Sequence, residues 1–126
     1  MLTEDQQLIQ TAPLTIPVAS RVHHEEKDGY QQVEFQWNNG NWQYTARWHS
    51  ALPGAKIITY PSWQVERVHP GLGYGPDHHP RLQQSLSSQG QWIDTEKVHQ
   101  AAWRLGHGKG QRADEKLILA THFHMN

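Results

Sequence analysis

The chain reads as an α+β domain: a small twisted antiparallel meander of three to four strands over residues 30–69, followed by two or three short helices. Three observations predict it. Apolar and polar residues alternate on both sides of Asn39-Gly40, the pattern of a half-buried hairpin. Val98, Ala101, Ala102 and Leu105 recur at i, i+3, i+4 and i+7, which is one face of a helix. The helical pattern follows the strand patterns instead of interleaving with them, as α+β layouts do.

Thr3 and Gln6 stand three apart ahead of Leu8 and Ile9, a capping-box spacing that predicts a short helix over 4–10. Pro13 and Pro17 hold the next segment extended, and Leu14, Ile16 and Val18 alternate along it as if laid on a surface. The polar run from Arg21 to Gly29 reads as a loop. Then Val33, Phe35 and Trp37 alternate with Gln32, Glu34 and Gln36. Beyond Asn38-Asn39-Gly40-Asn41, Trp42, Tyr44, Ala46 and Trp48 alternate with Gln43, Thr45, Arg47 and His49. Asn-Gly favours a type I′ turn, because both central residues there need positive φ. With Asn39-Gly40 as that turn, Trp37 faces Trp42, Phe35 faces Tyr44 and Val33 faces Ala46, with Trp48 at the far end. Gln36–Gln43, Glu34–Thr45 and Gln32–Arg47 pair on the other face. A slip of one residue would mix the two sets, so pattern and turn agree on the register.

Leu52-Pro53-Gly54 predicts a turn. Residues 57–60 and 63–68 read as one or two further strands, interrupted at Pro61 as an edge or a bulge allows. From His69 to Pro80 glycine and proline are too dense for regular structure. Residues 81–87 read as a short helix. Asp94 or Thr95 then caps the helix of Val98 to Leu105, and Gly106 stops it. Past Gly106–Gly110, residues 112–121 read as a last helix, with Leu117, Ile118 and Ala120 apolar.

Composition bounds the rest. The 126 residues suit a single domain, 1–126, with a β core over 30–66 and a helical extension over 80–122. With 11 basic and 12 acidic residues evenly mixed, the net charge is −1. That predicts no nucleic-acid partner and suits a neutral one. No cysteine is present, which excludes disulfides and thiolate zinc sites without fixing a compartment. Acids at the start, and no apolar run after them, argue against a signal peptide, and nothing approaches the ~20 apolar residues of a membrane span. The chain therefore reads as cytoplasmic by default, and as extracellular if it is part or passenger of a larger exported system. Six tryptophans stand against two phenylalanines. Each buried indole N–H needs a partner, so this excess points to a recognition surface more than to core building.

Several constellations could carry function. The hairpin aromatics are either one side of a core covered by the C-terminal helices, or a platform with one or two rings uncovered. An exposed indole or phenol offers a flat apolar face to the C–H face of a pyranose, and the flanking amides and Arg47 bond its hydroxyls. A second constellation is Glu34, Arg47 and His49 on the polar face, with Glu66 and Arg67 on a neighbouring strand. A carboxylate base, a histidine acid and an arginine for phosphorane charge are what a metal-independent ribonuclease uses. The bland alternative is a solvated face, and the missing basic patch weighs against RNA. Ten histidines include the pairs His23-His24 and His78-His79 and the run His122-Phe123-His124. Nothing in their spacing fixes three or four ligands together, so no metal site is expected. The runs Gly71–Gly75 and Gly106–Gly110 lack the strand-to-helix setting and Gly-Lys-Ser/Thr ending of a phosphate loop, so no cofactor is expected either.

The run Trp37-Asn38-Asn39-Gly40, Tyr44-Thr45-Ala46-Arg47-Trp48-His49, Pro53-Gly54 and Trp63 resembles the family 5/12 carbohydrate-binding modules, also called type-3 chitin-binding domains. The likeness covers about residues 30–66. It implies a small twisted β-sheet that binds chitin or a related polysaccharide through exposed aromatics, without catalysis. By position it implies Tyr44, Trp48, His49 and Trp63 as binding residues, with Trp37 and Trp42 beside them. Two departures stand out: the stretch from Asn39-Gly40 to the tyrosine is one residue longer than in the family, and His49 replaces an aromatic of the sugar platform. More loosely, the motifs around Trp48, Trp63 to Gly71, Trp92 and Leu119 to His122 resemble the C-terminal ends of bacterial surface and polymorphic-toxin proteins. That likeness keeps the effector reading as the alternative.

Overall fold

The structure, a computed structural model, describes residues 2–54, 62–71, 82–87, 89–110, 112, 113, 115, 116, 118, 124 and 125. It is α+β, with helix α1 (Glu4–Ile9) and strands β1 (Arg21–Lys27), β2 (Tyr30–Asn39), β3 (Trp42–Ala51) and β4 (Ser62–His69) first in order. Strands β5 (Leu82–Leu86) and β6 (Trp92–Asp94), helix α2 (Thr95–Gly106) and strand β7 (His124–Met125) follow. Strands β1 to β6 form one open antiparallel sheet in sequence order. The sheet has more strands than the expected three or four. The outer edge of β4 is shared, residues 66–69 pairing with β5 and residues 62–63 with β7.

Both turn signals work through positive φ. Asp28 (φ 54°) and Gly29 (φ 85°) close β1 on β2, with Lys27 opposite Tyr30, as a type I′ turn does. The segment from Arg21 to Gly29 is therefore a strand and a turn, not a loop. All seven β1 residues are exposed, so no apolar period marked the strand. At the next hairpin Asn39 pairs with Trp42, leaving Gly40-Asn41 as the loop, and only Gly40 (φ 60°) is left-handed. That is the glycine-first arrangement of a type II′ turn, not type I′ on Asn39-Gly40. Trp37 accordingly faces Tyr44, Phe35 faces Ala46 and Val33 faces Trp48. Each predicted partner is off by two residues, and because that shift is even the two faces keep their members. Small Ala46 leaves room beside Phe35, whose ring lies 6.0 Å from that of Trp63.

The aromatic face carries the core: Ile16, Val33, Phe35, Ala46, Trp63, Val65 and Leu86 are buried together. Its cover is the N-terminal segment, not the C-terminal helices. Leu8, Ile9, Ala12 and Leu14 pack on the cluster, and Ile16 is buried within it. The Thr3–Gln6 capping box forms as predicted, with Thr3 Oγ1 accepting from Gln6 N at 3.1 Å and Gln6 Oε1 accepting from Thr3 N at 2.9 Å. Thr11 Oγ1 accepts the indole N–H of Trp63 at 3.1 Å, which gives a buried tryptophan the partner it needs.

Helix α2 lies against β5 and β6 on the other side of the sheet. Ser85, which faces away from the core cluster, meets Thr95 Oγ1 at 2.8 Å. Asp94 caps this helix, and Val98 and Ala101 are its buried apolar residues, whereas Leu105 is exposed. Residues 82–86 form a strand and not the expected helix, because Leu86 fills the core cluster while Gln83 and Ser85 point the other way. Residues 113, 115, 116 and 118 are helical, within the span expected for the last helix. The expected strand at 57–60 and most of the expected loop at 69–80 lie outside the described residues.

Candidate ligand-binding site

At the turn end of the sheet, half-buried rings run across four strands. Trp37 on β2 stacks on Tyr44 of β3, with centroids 5.2 Å apart and planes at 6°. Tyr44 meets Trp92 of β6 edge-on at 5.9 Å. The Arg67 guanidinium carbon lies over the ring of Trp92, 4.1 Å from its centroid, and over that of Trp42, at 4.2 Å. Trp42 and His69 meet edge to face, with centroids 5.3 Å apart. Period-two geometry explains the gathering. Trp42, Tyr44 and Trp37 project from the same side of the hairpin, and Arg67 lies opposite Tyr44 on β4.

Two open clefts flank the Trp37–Tyr44 stack. The larger, of about 670 Å³, is bounded by Pro17, Ser20, Gln36, Asn38 and Gln43 beside the two rings. The smaller, of about 310 Å³, is bounded by Pro13, Leu14, Thr15, Asn39 and Trp92. Arg21 also borders the larger cleft, whose Gln36, Asn38 and Gln43 project from the opposite side of the sheet to the two rings. The smaller pairs flat apolar surface with the neutral groups of Thr15 and Asn39, which suits a polyol.

Of the six residues that the family resemblance picked out, Trp37, Trp42 and Tyr44 come together in this row. Trp48 is half-buried at the other end of the strand, opposite Val33 and Trp63, and packs on the core. Trp63 is wholly buried, at 0% exposure, and offers no face to a ligand. His49 projects to the opposite side of the sheet from Trp48, as adjacent strand residues must, so the two cannot share a platform. Trp92 and Arg67 belong to the row without having been singled out for it. The alternation Trp63, Val65, Arg67 held the signal for the arginine, whereas reading residues 81–87 as a helix hid the strand that brings Trp92 alongside.

The opposite face gathers the polar set. Arg47 Nε donates to Glu34 Oε1 at 2.9 Å, and its Nη1 lies 3.8 Å from Glu66 Oε2. Gln36 donates to the second Glu34 oxygen, Oε2, at 3.1 Å, and Gln83 donates to the same Glu66 Oε2 at 3.2 Å. His49 stands beside Arg47, its ring 6.5 Å from that of Tyr30. Burial, and then the Arg47 charge, hold its imidazole below the ordinary histidine range. Its Nε2 is buried without a hydrogen-bond partner among the described residues. Arg47 is thus engaged by two carboxylates, and the histidine nitrogen that would move a proton is closed to solvent. Arg67, the other basic group of the effector constellation, is on the opposite side. Chemically this face is a cross-strand clasp. Among the described residues no three histidine or acidic side chains converge for a metal, and no helix is long and apolar enough to cross a membrane.

No family model, no curated protein and no solved structure matches this chain.

Proposed function

We propose that this protein binds a polysaccharide, chitin-like or cell-wall glycan, without catalysis, on the row Trp37–Tyr44–Trp92–Trp42. The observation that carries the reading is that these rings stay half-exposed and that Trp37, Tyr44 and Trp92 border open clefts, although the sheet has a cover. The N-terminal segment helps to bury Phe35, Trp63 and Val65, whereas at the row its residues Pro13, Leu14 and Thr15 only border a cleft beside Trp37, Tyr44 and Trp92. Pyranose rings laid on Trp37 and Trp92 would meet Asn39 and Thr15 with their hydroxyls. Trp48, His49 and Trp63 are not part of this site.

The test is retention on insoluble chitin and on peptidoglycan, with Trp37→Ala and Trp92→Ala as controls and Trp103→Ala, an exposed residue on α2, as comparison. Retention lost in the first two and kept in the third supports the site. Wild-type protein that stays in solution with both polymers sinks the proposal.

A further inference from the structure

Among the described residues three arginines are half-buried: Arg47, Arg67 and Arg104. Two of them face carboxylates, Arg47 between Glu34 and Glu66 and Arg104 with Glu115 Oε1 at 3.0 Å. Arg67 faces none. Its Nε donates to the neutral amide of Gln84 at 2.8 Å, and its guanidinium carbon lies over the rings of both Trp42 and Trp92. The acid that projects beside Gln84 on this side, Asp94, is turned to the start of α2, where it accepts from Glu96 N at 2.9 Å.

Indole faces and an amide fix a guanidinium in place, but they cancel little of its charge. A cation removed from part of its hydration, with no counter-ion among the described residues, attracts an anion that can reach it. The clamp also removes rotamer freedom in advance. The outer Nη groups then form a rigid fork, which matches a carboxylate with two parallel hydrogen bonds.

Resting on the glycan reading above, we infer that the polysaccharide is acidic, and that a sugar carboxylate docks on the Nη edge of Arg67 between Trp42 and Trp92. The near-zero net charge of the chain does not oppose this, because the local field at the row comes from Arg67. Stacking on the indoles then supplies contact, and the arginine supplies the choice between acidic and neutral glycans.

Tryptophan fluorescence titration with tetragalacturonic acid, its carboxyl-reduced neutral counterpart and chitotetraose, at fixed ionic strength, tests the inference. One charge-assisted bidentate contact predicts about tenfold tighter binding of the acid than of its reduced form. In Arg67→Gln that ratio falls towards one, and Arg67→Lys, which keeps the charge against the indoles, falls between. Near-UV circular dichroism verifies folding, and the wild-type ratio decides the matter even if a variant misfolds. Equal affinity for acid and reduced forms overturns the inference and leaves the glycan reading standing. A preference unchanged in Arg67→Gln removes the arginine from it. Folded wild type that binds none of the three overturns the reading and the inference together.

Discussion

Trp63 and Trp37 show how differently one residue type serves in this sheet. Trp63 has its whole ring in the core and its N–H on Thr11, so Trp63→Ala should cost about 3–5 kcal/mol of stability by chemical denaturation. Trp37, half-buried and stacked on Tyr44, should lose about 1–2 kcal/mol of glycan binding on truncation and much less stability. Composition signalled that some indoles serve recognition, but not which. That depends on where the N-terminal segment ends its cover, a tertiary fact with no local signature. His49 makes a third residue-level case. Its folded-state pKa is depressed, first by burial and then by Arg47, so the unfolded chain binds the proton more readily. The stabilising contribution is complete above the unfolded value of about 6.5 and is lost as pH falls below it towards the folded value. A Tm profile in this range should slope downward toward acid, and His49→Gln should flatten it.

At the level of elements, turns and edges decided what was legible. The hairpin, its two faces and strand β4 were readable because one side is buried and a period of two records that burial. Strand β1 was not, since RVHHEEK is exposed on both sides and only Asp28-Gly29 betrays it. The Gly40 turn was placed one residue early because Asn-Gly and Gly-Asn both suit two-residue hairpins, and only long-range fit decides between them. Gly40 takes φ 60° with open space around its absent Cβ. Gly40→Ala should therefore cost about 1–2 kcal/mol from backbone strain alone, measurable as a shift in denaturation midpoint with unchanged m-value. On the covering segment, Ile16→Ala should cost about 2–4 kcal/mol, because the cover reaches the core through this buried side chain.

For the molecule as a whole, the sheet divides labour between its sides. One side is sealed along half its length by the N-terminal segment and leaves an aromatic row open at the turn end. The other is clasped by Glu34, Arg47 and Glu66 and capped at its β5–β6 edge by α2. Removing residues 2–18 should expose Phe35, Val65 and Trp63 together and abolish cooperative thermal unfolding, as no other described segment covers them. The six tryptophans give the most direct test of the central claim, since each indole N–H is a separate NMR reporter. On titration with an oligosaccharide that the protein retains, the signals of Trp37, Trp42 and Trp92 should shift progressively while that of Trp63 stays fixed. A saturating titration that moves none of these three, or moves only Trp103, would contradict the account.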